Sequence, residues 1–222
     1  DVKNPQPLDI ISPAKHINGT DVLAMANKEF ILPDYGKQLR LENLYWQSFE
    51  SVTHEDGSQS ARFEAIVLDQ NSNQPFIKLI KTYTIKKNSY LLDCDIKVEN
   101  LSASKEQIRF NINGPSGIEK EALRTDMRST VALYKNAEGQ VETKINNIST
   151  LLNNKKSNSL NNTDNPESNF IWAAIINKYF TAILVPVPDA NKPYCDWIYE
   201  KSGIICDPNA TNKKLSDTGT IG

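Results

Sequence analysis

Histidine is nearly missing from this chain. Only His16 and His54 supply an imidazole, and both precede the segments with the clearest strand periodicity, so histidine acid–base catalysis has little to build on. Cysteine is almost as scarce. Cys94, Cys195 and Cys206 show no C-x-x-C spacing, which removes the zinc and thioredoxin-type signatures, and no metal or cofactor is expected. A basic excess is also lacking: 25 Lys and Arg face 27 Asp and Glu, for a net charge of -2. Without clustered cations there is no electrostatic footprint for nucleic acid. No apolar run is long enough and clean enough to span a bilayer. The stretch nearest to one, residues 170–187, carries Asn177 and Lys178 at its centre. A central lysine costs about 2.5–3.5 kcal/mol on insertion, whereas Asn-Lys between two apolar runs makes a turn, so a buried hairpin is predicted. The residues after Asp1 lack a basic stretch followed by an apolar one, and any targeting or anchoring segment is expected to lie outside the sequence.

What is present is a strand pattern. At 222 residues with 39% hydrophobic content, the chain is large enough for one big domain or two small ones with a packed core. Phe63, Ala65 and Val67 alternate with Arg62 and Glu64, the period of two for a strand buried on one face. Tyr90, Leu92, Cys94, Ile96 and Val98 alternate with Asp93, Asp95, Lys97 and Glu99, and Ile108, Phe110 and Ile112 with Arg109, Asn111 and Asn113. Residues 76–86 read as a less regular strand that pairs with 90–98 across a Lys87-Asn88-Ser89 turn. Residues 129–134 and 140–145 flank a second turn at Asn136 to Gly139. A short helix over 141–153 is a competing expectation. The runs 170–176 and 179–185 are continuously apolar, as in central strands covered on both faces. Hairpins repeat without βαβ spacing, so the fold expected is an all-β antiparallel sandwich. Residues 1–40, with Pro5, Pro7, Pro13 and Pro33, are expected to lie extended on that core, and 41–222 to form the sandwich domain. Residues 146–169 carry nine asparagines and read as a polar surface insertion. Residues 207–222 show no domain-closing strand.

Candidate chemistry is thin. Gly114-Pro115-Ser116-Gly117 begins like a nucleophile elbow, but Ile118 breaks the pattern and no helix signal follows. A turn is expected there. Asp93 and Asp95 form a carboxylate pair that could serve a glycosidase, yet their i, i+2 spacing on a strand puts them on its solvated face. Trp46, Trp172 and Trp197 could line a sugar or peptide groove, with core packing the expected role of Trp172. Catalytic residues are therefore expected to be none, and the binding residues are not specified by any motif. Cys195 and Cys206 flank a short segment that a disulfide could close; two free thiols fit the spacing equally.

Three segments resemble the large extracytoplasmic domain of the YidC membrane protein insertase family. The first runs from Lys81-Thr82-Tyr83-Thr84 through the following strand to Val98-Glu99-Asn100. The second is Gly114 to Gly117 with Arg124, Asp126 and Arg128. The third is the W-x-A, Y-F and terminal Pro pattern at Trp172, Ala174, Tyr179, Phe180 and Pro186. The resemblance implies a twisted supersandwich of the galactose-mutarotase type, with the Asn-rich stretch as an insertion and the last strands missing beyond Gly222. It implies a soluble, non-catalytic domain on the periplasmic face of a bacterial inner membrane, in a multi-pass parent whose insertase groove lies in other segments. Sec translocon subunits or nascent membrane proteins are the implied partners. The oxidising compartment so implied favours a Cys195–Cys206 bridge, with Cys94 buried and reduced. The fold analogy also suggests an alternative, a carbohydrate-binding or mutarotase-like sandwich, which would need a histidine and a carboxylate converging in its cleft.

Overall fold

The computed structural model describes Ile11 and residues 14–15, 21–41, 44–69, 71–105, 107–118, 127–136, 138–148, 158–159, 169–187, 199–205 and 216–221. In chain order its strands begin β1 (Ala14–Lys15), β2 (Asp21–Val22), β3 (Asn27–Leu32), β4 (Lys37–Arg40), β5 (Gln47–Ser48) and β6 (Val52–Thr53). Next come β7 (Gln59–Leu68), β8 (Pro75–Ile85), β9 (Leu92–Asn100), β10 (Arg109–Ile112), β11 (Ser129–Lys135) and β12 (Val141–Asn147). The last are β13 (Asn158–Ser159), β14 (Asn169–Ile176), β15 (Thr181–Leu184), β16 (Tyr199–Ile205) and β17 (Ser216–Ile221). The chain divides into two compact units, one of Asp1–Asn27 with Asn111–Gly222, the other of Lys28–Phe110.

The Lys28–Phe110 unit is a sandwich of two antiparallel sheets. One has the order β5-β7-β8-β9, with β6 also on β7, and the other β10-β3-β4. Between them Phe30 and Leu41 pack with Val67, Ile77 and Leu79, and the Phe30 and Phe110 rings meet at 4.9 Å. Phe30, Ile77 and Leu79 are wholly buried, each removal from water contributing about 1.5–3 kcal/mol. β8 pairs with β7 from Gln59↔Ile85 to Leu68↔Pro75 and with β9 from Ile77↔Asn100 to Ile85↔Leu92. Because side chains alternate faces, this register puts Ile77, Leu79, Lys81, Tyr83 and Ile85 of β8 in one row, on the core side. The β8–β9 turn is where sequence placed it, with Asn88 at φ 58 and the Ser89 amide bonded to Lys86.

In the other unit, β12-β11-β14-β15 form one antiparallel sheet. Ala132, Ala173 and Ile175 pack with Ile118, and Phe170 and Phe180 cover them. Arg128 is buried too, and its guanidinium donates to the Ile118 carbonyl at 3.2 Å. The β14–β15 hairpin confirms the reading of residues 170–187. Its turn is held by Asn177, whose side-chain oxygen accepts from the amides of Tyr179 at 3.0 Å and Phe180 at 2.6 Å. β1 joins β2 and β16, and β16 also pairs with β13 and β17.

Four sequence expectations change. Residues 141–147 are the strand β12, not a helix: all seven pair with β11, and the Tyr134 hydroxyl donates across the pair to Glu142 at 2.8 Å. The turn before it needs Gly139, whose φ is +77. Residues 27–40 contribute Phe30 and Leu32 to the interior instead of lying over it. β14 is covered on both faces, but β15 ends its sheet among the described residues and leaves Ile183 exposed, so only one of the two apolar runs is central there. Residues 216–221 form β17 against β16, a strand the polar composition concealed. Most of the Asn-rich stretch lies outside the described residues.

Trp172 is half-buried, on the face of β14 opposite Ala173 and Ile175. Phe30→Ala is therefore expected to cost about 3–5 kcal/mol in urea melts, and Trp172→Ala about 2 kcal/mol or less. A larger loss at Trp172 than at Phe30 would show that the core has been placed on the wrong side chains.

Candidate functional site

Among the described residues, none of the sequence-derived catalytic candidates assembles into a reacting group. His54 sits on the exposed β6–β7 turn, where its backbone pairs with Ser58 at 2.8 Å and its ring bonds Ser60. Asp56 is two residues away, but its carboxylate accepts the Ser58 amide at 2.9 Å and hydroxyl at 2.6 Å. The Ser58 bonds hold the Asp56 carboxyl below its usual value. The aspartate thus braces the turn rather than orienting the imidazole, as a catalytic triad would require. Ser116 is buried in an isolated bridge just after a bend at Pro115, and Gly117 takes a φ of +81; the residues that follow Ile118 lie outside the described ones. Asp93 and Asp95 are exposed on the solvated face of β9, as predicted. Trp46 packs against the Phe30 cluster. His16, Trp197, Arg124, Asp126, Cys195 and Cys206 lie outside the described residues.

The feature that stands out is the core-facing side of the β7-β8-β9 sheet. At one end the row is sealed under Phe30 and Leu41. At the other it opens: Ile85 and its cross-strand neighbour Leu92 are exposed, Leu92 to 57%. An open cleft of about 220 Å³ lies here, lined by Gln59, Ala61, Tyr83, Ile85 and Leu92 among others. Between the sealed and open ends sits Lys81, only 6% exposed. Its ammonium lies over the Tyr83 ring, 5.3 Å from the centroid. Phe63 meets Tyr83 edge-on at 6.1 Å, and Cys94 faces Tyr83 across the β8–β9 pair with its sulfur in hydrogen-bonding reach.

Burial dominates the electrostatics of this cluster. It lowers the Lys81 pKa, raises that of the Cys94 thiol, and pushes the Tyr83 phenol up to about 12. Cys94 is a free thiol, half-buried rather than fully buried as the alternation suggested. The reason is that Leu92 and Val98 on its row are uncovered. A protonated thiol and phenol are the opposite of an activated nucleophile. What the face offers is binding area: aromatic and aliphatic surface with one shielded cation. The opposite face is charged, with Glu64 bonded to Lys78 at 2.7 Å and to Arg62, which keeps its carboxyl ionised to lower pH than usual.

Lys81 was visible in sequence only as part of a motif; its burial comes from the register that puts it behind Leu79. Because its folded pKa lies below the ordinary 10.5, the unfolded chain holds that proton more tightly. Stability linked to Lys81 therefore rises with pH from the lowered folded value up to 10.5, and below that window the desolvation cost is felt in full. Lys81→Met is expected to melt at higher urea than the unsubstituted chain at neutral pH, with the gap narrowing in alkaline buffer. A variant less stable at neutral pH would show that the contacts of the ammonium outweigh its desolvation.

Comparison with known proteins agrees with the geometry. No curated protein and no solved structure gives a match. The sequence model of the YidC periplasmic domain matches residues 6–207, which takes in the Lys81 row, the β14–β15 hairpin, all of the Lys28–Phe110 unit and most of the other. An all-β antiparallel fold and a match across nearly the whole length lead to one assignment: the chain belongs to the YidC periplasmic domain family.

Proposed function

We propose that this chain is the periplasmic, non-catalytic module of a bacterial inner-membrane protein insertase. It assists insertion and folding of membrane proteins, alone or with the Sec translocon, while the insertion chemistry belongs to membrane-embedded parts of its parent. The family match over residues 6–207 carries this reading. The open apolar end of the β7-β8-β9 face supports it, since exposed apolar area beside a sealed core is what a transient polypeptide-binding surface needs. The partners expected are Sec subunits or nascent membrane proteins.

Photoreactive residues placed in the full-length parent at Tyr45, Leu92 and Val185, exposed positions in different parts of the chain, test this in living cells. Adducts with a Sec subunit or a nascent membrane protein are expected from at least one position. If all three give none, the module reading fails.

We also propose that Cys195 and Cys206 are bridged, as the periplasmic placement implies. Alkylation with and without reductant, read by mass spectrometry, is expected to find that pair linked. Cys94 is expected to label slowly until the chain is unfolded, because its raised pKa keeps it as the thiol. Three thiols labelled quickly in the native chain would remove the bridge and one support for the compartment.

A further inference from the structure

β9 ends its sheet, pairing with β8 and with no other strand among the described residues. Edge strands are templates for further pairing, and proteins usually blunt them with short length, proline or bulges. β5 and β6, at the other side of the same sheet, are two residues each. β9 has nine residues, no proline, and an unbroken register against β8. Its core-side row of Leu92, Cys94, Ile96 and Val98 is incompletely covered, and Tyr90 and Leu91 just before it are also exposed. Its other row carries Asp93, Asp95, Lys97 and Glu99. Lys97 is already bonded to Glu99 at 2.7 Å, Lys86 lies 3.9 Å from the Asp93 carboxylate in a loose, exposed pair, and Asp95 has no ion pair among the described residues. The row is therefore net acidic along the edge, and the Lys97 contact keeps Glu99 ionised below the usual carboxylate range.

We propose that β9 is a strand-addition site: its open edge takes an extended segment of a partner protein whose side chains alternate between apolar and basic. The apolar side chains extend the Leu92 to Val98 row, and one can enter the cleft beside Tyr83 and Ile85. The basic side chains stand across from Asp93, Asp95 and Glu99, where opposite charges on neighbouring strands attract. Backbone hydrogen bonds give the affinity, and the two rows give the selectivity. A second copy of this chain offers a mixed match: antiparallel self-pairing about Ile96 sets Asp93 against Glu99, two carboxylates, as well as Asp95 against Lys97, whereas basic side chains of a partner segment meet a carboxylate at each of the three positions. β12 is another edge, but its Glu142 is already engaged by Tyr134 and Asn136 and shares its row with Lys144.

This deepens the binding-module reading and rests on it. The test uses the chain with a fluorescent peptide of alternating Val and Lys, followed by anisotropy. Three comparison peptides are a Val and Glu version, a scrambled version, and one N-methylated along the edge-facing amides. The Val and Lys peptide is expected to bind, the scrambled and N-methylated ones not. The double variant Asp95→Lys with Glu99→Lys is expected to weaken it about tenfold and to accept the Val and Glu peptide instead. Both residues are partly or fully exposed, and unchanged urea melts confirm that the variant folds. Amide exchange should slow in residues 92–100 when the peptide is added. Equal binding of the N-methylated peptide, or no response to charge reversal, would overturn the proposal. So would a dimer in sedimentation protected along β9, or binding to phospholipid vesicles through Tyr90 and Leu91 in place of peptide. Any of these leaves crosslinks at Tyr45 or Val185 in cells to stand or fall separately, so the two readings fail independently.

Discussion

The central place of β8 constrains most of the Lys28–Phe110 unit. Flanked by β9 in unbroken register and by β7 in a register that shifts only between Val67 and Leu68, its eleven residues carry one row, from Ile77 to Ile85, toward the interior. Ile77 and Leu79 stay dry only because β3 and the residue after β4 bring Phe30 and Leu41 over them. That cover is short. β3 and β4 have six and four residues, against the longer strands they face, so the same row emerges from cover before it ends. Lys81 sits where it does for this reason: behind a sealed core, ahead of an open cleft, with Tyr83 beneath its ammonium.

The outer face of the same sheet explains why the strands do not slip. A shift of one residue would bring Glu64, Lys78 and Lys97 into the core and put Ile77 and Leu79 in water. Individually the surface pairs contribute little, about 0–1 kcal/mol for exposed ones. Their main effect is to make the wrong register costly. The same charges leave the two faces of β9 chemically distinct, one apolar and one acidic.

Burial in the half-open region shields its polar groups instead of activating them. A thiol and a phenol with raised pKa values and an amine with a lowered one all favour neutral forms. Such a surface suits contact with a chain that arrives, associates and leaves. Membership in the YidC periplasmic domain family is consistent with that chemistry.

Local pattern was enough to read the hairpins. The alternation at Phe63 to Val67 and at Leu92 to Val98, the turn residues Asn88 and Gly139, and the Asn177 break in an apolar run all act within a few residues, and each marks a real strand or turn. The charged face of β9 was legible for the same reason. What short-range pattern could not supply was which apolar face would be covered. Leu92 and Val98 alternate as well as Val67 and Ala65 do, yet the first pair is exposed and the second buried, because β7 lies inside the sheet near the cover of Phe30 and Leu41, distant in sequence, while β9 lies at its edge among the described residues. β12 reads as helix or strand until β11 offers it seven partners. β15 reads as central until the sheet ends at it. Residues 27–40 look peripheral until Phe30 meets Phe110. Sequence by itself determined the strand class, the hairpin order and the charge of each face, since these depend on neighbouring residues. Tertiary structure alone decided the buried Lys81, the place of β9 at the end of its sheet among the described residues and the open cleft, because burial and edge exposure are set by how far one sheet extends over another.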